Sequence, residues 1–166
     1  DGYAVTAQVE SMTRTGPPEL DRFLDLYRLV EQAPKPAVIV LQEIGGFPDD
    51  AVHCGEVMAT FFTRLGAVGL VSDCAVRDIP EVRRLGFHYF ARGTVASHSN
   101  FRIVRAGVPV QILGMEVSPG DILHGDDVIP SQINGGGFIG CDALDADGVA
   151  RIAGLDALVP AATRTV

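Results

Sequence analysis

Arg77 and Asp78 stand side by side at the end of an apolar run, Gly69-Leu70-Val71, that continues through the small residues Ser72-Asp73-Cys74-Ala75-Val76. A guanidinium grips a carboxylate in a two-pronged fork, and a carboxylate offers the oxygen donors that Mg²⁺ and other hard cations prefer. Such a pair can hold an anionic substrate and a divalent metal together. It can equally be structural, with Asp78 capping a helix that begins at Ile79 and Arg77 pairing with Glu81 at the surface. Position favours chemistry, because ligands of α/β proteins gather at the carboxyl ends of parallel strands.

Twenty residues separate Arg77 from Glu56, which lies in Gly55-Glu56-Val57-Met58. A glutamate in a first helical turn is ordinarily a solvated group favoured by the helix dipole. The alternative is an anion pocket, in which the first backbone N–H groups, at Val57 and Met58, have no intrahelical acceptor and Glu56 reaches water around a metal. A third element, Ser118-Pro119-Gly120-Asp121-Ile122-Leu123-His124-Gly125-Asp126-Asp127, carries two Gly-Asp pairs that read first as hairpin turns. Asp126 and Asp127 remain open as groups that approach a metal. His53, His88, His98 and His124 lack ligand spacing and read as surface or hydrogen-bonded core groups. Cys54 and Cys74 read as packed small hydrophobes with no indicated histidine partner.

The elements that must position these residues alternate in the first half of the chain. Residues 3–9 alternate as a half-buried strand does. Leu20, Phe23, Leu24, Tyr27 and Val30 recur at helical spacing as far as Pro34-Lys35-Pro36. The continuous apolar run 37–41 predicts a strand buried on both faces, followed by a loop with Glu43, Gly45, Gly46 and Asp49-Asp50. A helix is expected over 51–65, closed by Gly66, then a strand over 67–71, a helix from Ile79 with Pro80 in its first turn, and a strand over 87–90. Short β-like runs follow at 101–104, 108–113 and 115–117. Asn134-Gly135-Gly136-Gly137 reads as a turn, and 149–158 as a last short helix. The pattern argues for one mixed α/β domain.

The chain has 166 residues, 47% of them hydrophobic and 20% charged, which suits a globular domain rather than a disordered chain. With 13 Lys plus Arg against 21 Asp plus Glu, its net charge of −8 gives no general attraction for nucleic-acid phosphates. Nucleic acid is therefore not an expected partner. Three cysteines, Cys54, Cys74 and Cys141, without a CxxC pair suggest neither a disulfide framework nor a zinc site, and point to a reducing cytoplasmic compartment. No apolar stretch approaches the 18 residues of a membrane span, so no membrane partner is expected. The chain opens at Asp1 directly in a strand pattern, which leaves room for a preceding N-terminal segment.

Taken in order, Gly55-Glu56, then Gly66-Ala67-Val68-Gly69-Leu70-Val71-Ser72-Asp73-Cys74-Ala75-Val76-Arg77-Asp78, then Phe90-Ala91-Arg92-Gly93-Thr94, then Val117 through Asp126 resemble one family. It is that of the regulator of ribonuclease activity A and its relatives, the 4-hydroxy-4-methyl-2-oxoglutarate/4-carboxy-4-hydroxy-2-oxoadipate aldolases. The likeness is good over 37–130 and looser over 3–9. It implies a compact α/β/β/α sandwich-type domain of the swivelling β/β/α kind over 1–166, assembled as a homotrimer or a pair of trimers. It also implies divalent-metal-dependent retro-aldol cleavage of a 4-hydroxy-2-oxo diacid to pyruvate, with oxaloacetate decarboxylation as a further activity.

Carried over to this chain, the resemblance makes Asp78 the direct ligand of Mg²⁺, Mn²⁺ or another divalent cation. Glu56 would act through that ion's waters, and Arg77 would bind the pyruvyl part of the substrate with the backbone at Gly55, Val57 and Met58. The ribonuclease-inhibiting branch implies the alternative of a non-catalytic regulator that binds a ribonuclease. The chain departs from the family pattern at Cys74, where glycine is usual, and after Asp127, where it runs directly into Val128-Ile129-Pro130. Its only lysine, Lys35, stands between prolines, and no glycine-rich nucleotide loop is present.

Overall fold

A computed structural model describes residues 1–12, 20–46, 51–112, 114–126, 139–145 and 148–151. The centre of the fold is β2 (Ala37–Glu43), which lies between β1 (Gly2–Met12) and β4 (Ala67–Val76) and whose aliphatic residues are buried on both faces of the sheet. All three run parallel, in a register that sets Tyr3 against Ala37, Val9 against Glu43 and Leu41 against Ser72. β3 (Val52–Cys54) and β5 (His88–Thr94) also pair with β4 in parallel. The carboxyl ends of β2, β3, β4 and β5 therefore share one rim.

The far side of β1 is divided between two antiparallel partners. Its last six residues pair with β6 (Asn100–Ala106), and Gly2 and Tyr3 pair with β9 (Ile122–Asp126). β10 (Ile139–Asp145) and β11 (Gly148–Arg151) extend the sheet beyond β9. A separate hairpin joins β7 (Val110–Ile112) to β8 (Met115–Val117).

Period-two alternation sorts the core onto two faces. Val5, Ala7, Val9, Ile39, Leu41 and Leu70 face a layer of three helices, α1 (Leu20–Gln32), α2 (Glu56–Arg64) and α3 (Ile79–Arg84). These helices contribute the buried Leu26 and Val30, Ala59 and Phe62, and Val82. Ala4, Val38, Val40 and Val71 face the other way, where Val110, Ile112 and Val117 of the hairpin and Leu123 of β9 cover them. The result is the expected mixed α/β domain, its sheet curled between helices and hairpin. Among the described residues no helix is long and apolar enough to cross a membrane.

Several local expectations change. The helix expected over 51–65 is split: Val52, His53 and Cys54 form β3, and the helix begins only after Gly55. Pairing with Ala75 and Val76 of β4 outweighs helical periodicity there. The strand expected to end at Val71 runs on to Val76, and Glu43, expected in a loop, ends β2 in a buried position. The second Gly-Asp pair is not a turn, since Gly125 and Asp126 lie in β9. Val149 to Arg151 belong to β11 rather than to a helix. The remainder of that expected helix, Asp127 and the 134–137 turn lie outside the described residues.

Candidate functional site

Arg77 and Asp78 follow β4 directly, and Gly55 and Glu56 follow β3, so the parallel pairing of these strands brings both segments to one rim. The Arg77 N–H donates to the Cys54 carbonyl at 3.0 Å, fixing the two segments at backbone level. Asp78 is held at φ 59°, ψ 39°, a left-handed conformation that costs a non-glycine residue free energy. It opens α3 through its backbone, its carbonyl accepting the Val82 N–H at 2.9 Å, but its carboxylate makes no cap bond to α3.

That carboxylate crosses to α2. Its Oδ2 accepts the Glu56 N–H at 2.9 Å and lies 3.6 Å from Arg77 Nε. Asp78 thus caps the neighbouring helix rather than its own, at the end whose dipole favours a negative charge. Arg77 does not pair with Glu81, which is taken by Arg84 at 2.9 Å. Gly55 makes the approach possible: a Cβ there would fall 2.6 Å from Asp78 Oδ2 and 2.8 Å from Arg77 Nε. Its own φ of −133° is open to any residue, so the requirement is space rather than backbone freedom.

Glu56 and Val57 are exposed and Met58 half-buried, at the first three positions of α2. The first intrahelical bond runs from Ala59 N–H to the Gly55 carbonyl, which leaves the Val57 and Met58 N–H groups without acceptors inside the helix. Arg77 and Asp78 side chains are about one-third exposed, at 32% and 35%. Gly55, Glu56, Val57, Met58, Arg77 and Asp78 are therefore gathered at this rim. Beneath it lies Cys54, its thiol pushed up to about 12 by burial above all, with the Asp78 carboxylate adding to the rise.

The third sequence element lies elsewhere. Gly120 N–H donates to the Ala4 carbonyl and Ala4 N–H to the Asp121 carbonyl, and Asp121 Oδ2 accepts the Ser118 N–H at 2.8 Å. Gly120, at φ 91°, supplies the left-handed residue this turn requires. Ala4 stands opposite Val38 near the start of β2, so the turn sits at the amino ends of the strands, and β9 carries Asp126 farther away. Ten residues of β4 separate the two ends, roughly 30 Å of strand.

Sequence reasoning did not foresee a buried polar cluster behind the rim. Glu43 Oε1 accepts the N–H groups of Ser11 (2.9 Å) and Gly45 (2.7 Å), and Oε2 accepts Ser11 Oγ–H (2.7 Å) and His53 Nε2–H (2.9 Å). His53 Nδ1 meets Ser72 Oγ at 2.8 Å, and Ser72 Oγ accepts the Cys74 N–H at 3.0 Å. Burial opposes ionisation of Glu43, but the bonds from His53, Ser11 and Gly45 outweigh it and hold the carboxyl at about 2. Cys74, expected to lack a histidine partner, has its sulfur within 4.8 Å of donor atoms of His53 and Glu43. A carboxylate ending a strand buried on both faces was the available signal. It has no reason to be there unless donors meet it.

Comparison with known proteins gives this geometry its context. The family model described as RraA-like, Aldolase/RraA, matches residues 1–128. Protein DlpA of Legionella pneumophila subsp. pneumophila is 30% identical over 109 residues, 62% of this chain and 17% of that protein. A protein of Halalkalibacterium halodurans named "Putative 4-hydroxy-4-methyl-2-oxoglutarate aldolase" is 36% identical over 73 residues, 43% of this chain and 35% of that protein. The chain thus spans well under half the length of either curated relative. The crystal structure of Streptomyces coelicolor RraAS2, described as an unusual member of the RNase ES inhibitor RraA protein family, superposes with a TM-score of 0.56 at 24% identity. That match covers 91% of this chain and 64% of the other, and likeness at this level speaks to the fold.

Proposed function

We propose, for a chain that belongs to the RraA-like (Aldolase/RraA) family, a divalent-metal-dependent site that cleaves a 4-hydroxy-2-oxo diacid to pyruvate by a retro-aldol reaction and also decarboxylates oxaloacetate. The observation that carries this reading is the direction of the Asp78 carboxylate, turned from its own helix and held in a left-handed conformation over a glycine. Its Oδ2 takes the Glu56 N–H and faces Arg77. A hard oxygen donor at a half-buried rim fits Mg²⁺ or Mn²⁺, with Asp78 as the residue that would hold it. Such an ion supplies Lewis-acid stabilisation of charge developing on the 2-oxo oxygen.

The chain's own residues supply the rest. Arg77 grips the carboxylate beside the oxo group, and the N–H groups of Val57 and Met58 add donors from the start of α2. The missing side chain at Gly55 lets the substrate and Asp78 come close to that helix end. Glu56 takes the proton of the 4-hydroxyl through an oriented water. The C3–C4 bond then breaks, C4 becomes a carbonyl, and the electron pair enters the pyruvate enolate, whose charge Arg77 helps to stabilise. Glu56 returns the proton by the same route to C3 of the enolate, giving pyruvate. The likeness to a protein named as an aldolase supports this reaction class. Assembly as a homotrimer or a pair of trimers belongs to the same proposal.

Pyruvate release from oxaloacetate and from a 4-hydroxy-2-oxo diacid tests it. Turnover is expected to vanish in chelator, return with Mg²⁺ or Mn²⁺, and fall at least about 100-fold in folded Arg77→Ala and Asp78→Ala variants. Activity indifferent to chelator or to both substitutions overturns it. The Streptomyces relative, named for a family of ribonuclease inhibitors, and the net charge of −8 favour a second reading, a regulator that binds a basic ribonuclease. Ribonuclease binding that survives Asp78→Ala and weakens with salt would select that reading.

A further inference from the structure

Glu43, His53 and Ser72 take no part in the reaction above, yet they join the strands that build its site. β5 pairs with β4 from Gly69 to Val76, β2 pairs with β4 from Ala67 to Ser72, and β3 pairs with Ala75 and Val76. A strand has two edges, so β3 must follow β2 along the edge that β5 leaves free. Glu43 is the last residue of β2, and the His53–Glu43 hydrogen bond of 2.9 Å spans this handover.

Two irregularities aim the groups inward. Val52 and Cys54 stand opposite consecutive residues of β4, which makes His53 the extra residue of a bulge. Between Ser72 and Ala75, β4 likewise carries one residue more than β5. Bulges redirect side chains, and these two bring the His53 ring between Glu43 and Ser72 with no exposed surface. Ser11 of β1 completes the set, so the network ties β1, β2, β3 and β4 at one level.

β3 has only three residues, and the site depends on where it ends. Its last residue, Cys54, accepts the Arg77 N–H; the next, Gly55, lies against Asp78 and Arg77; the next, Glu56, donates to Asp78. We propose that His53, clamped between Glu43 and Ser72, is the positioning residue of this rim, setting the Gly55–Glu56 turn at the distance from which the Glu56 N–H holds the Asp78 carboxylate. A metal centre at Glu43, His53 and Cys74 is the competing use of the cluster. It is disfavoured because Glu43 accepts four donors and both His53 nitrogens are engaged. The proposal rests on the functional reading above only for its kinetic arm.

Amide hydrogen exchange of the full chain, resolved at Glu56, tests the structural arm without any substrate. In His53→Ala the Glu56 amide is expected to exchange about tenfold faster, the loss of one hydrogen bond's worth of protection, while Val5 and Ile39 in the core are unchanged. His53→Gln, which can still donate to Glu43, is expected to restore protection to within about twofold. In the kinetic arm, KM for the oxo acid rises about tenfold in His53→Ala with a smaller fall in kcat, and His53→Gln recovers it. Unchanged Glu56 exchange in folded His53→Ala, failure of His53→Gln to restore it, or stoichiometric Zn²⁺ binding abolished by Cys74→Ala overturns the proposal. If His53→Ala does not fold, Ser72→Ala carries the same test, with faster Glu56 exchange expected and no change overturning it. A wild-type chain that releases no pyruvate defeats the functional reading alone, and the exchange arm still decides this one.

Discussion

Asp78 occupies the start of α3 but spends its carboxylate on the start of α2, and Gly55 is what allows it to do so. In Gly55→Ala the new methyl would need to displace the side chain of Arg77, whose backbone is bonded to Cys54, or that of Asp78, which is bonded to the Glu56 N–H. Fold and stability are expected to change little, while kcat/KM for oxaloacetate drops by about 100-fold, the scale of a 1 Å misplacement; steady-state kinetics beside thermal melting separates the two. Glu43 makes a different prediction. Its pKa falls from 4.5 in the unfolded reference to about 2 in the fold, so the stabilisation is complete above pH 4.5 and is lost as pH falls toward 2. The shift corresponds to roughly 3 kcal/mol. Asp73, whose carboxyl is raised by burial and accepts the Glu43 N–H at 2.8 Å, works in the opposite sense and reduces the net slope. Urea titrations from pH 7 to 2.5 are expected to show the loss, and Glu43→Gln is expected to flatten it while lowering stability at pH 7.

Among the elements, α2 connects packing to chemistry. Ala59 and Phe62 face the core with no exposed surface, and Tyr27 of α1 lies against Phe62 at a ring distance of 5.5 Å. The helix therefore cannot slide along the sheet without opening a cavity, and its first turn stays at the rim beside Asp78. Phe62→Ala is expected to destabilise the fold by about 3–5 kcal/mol in denaturant titration. A value below about 1 kcal/mol would mean that α2 is not anchored through this residue. β3 shows why element boundaries were harder to read than element types. Val52, His53 and Cys54 suit a helix or a strand by local pattern, and only the edge that β2 vacates on β4 decides between them.

At the scale of the whole molecule, the described residues form one layered domain in a chain of net charge −8. Val57 and Phe61 of α2 remain 68% and 53% exposed beside the rim. Light scattering of the purified chain is expected to return the mass of three chains or six. A single-chain mass at assay concentration would remove the trimer from the functional proposal. The chain spans 17% and 35% of the two curated relatives it matches, so their whole-protein activities reach it only as proposals.

The mixed α/β core and the rim position of Arg77 and Asp78 were legible in the chain itself, whereas their partnership with Gly55 and Glu56 came from the family resemblance. Aliphatic runs such as 37–41 need burial on both faces, and a reactive pair after such a run falls by geometry at a carboxyl rim. The sequence could not tell a cap from a crossing carboxylate, because both place an aspartate before a helix; the left-handed turn at Asp78 and the space over Gly55 settle the direction. Nor could it join Glu43, His53 and Ser72. Their spacing follows no helical or strand period, and they meet only because two bulges turn inward where one strand takes over from another along β4. Likewise Asp126 stayed open as a metal-approaching group in the linear order, and the antiparallel return of β9 carries it to the opposite end of the sheet.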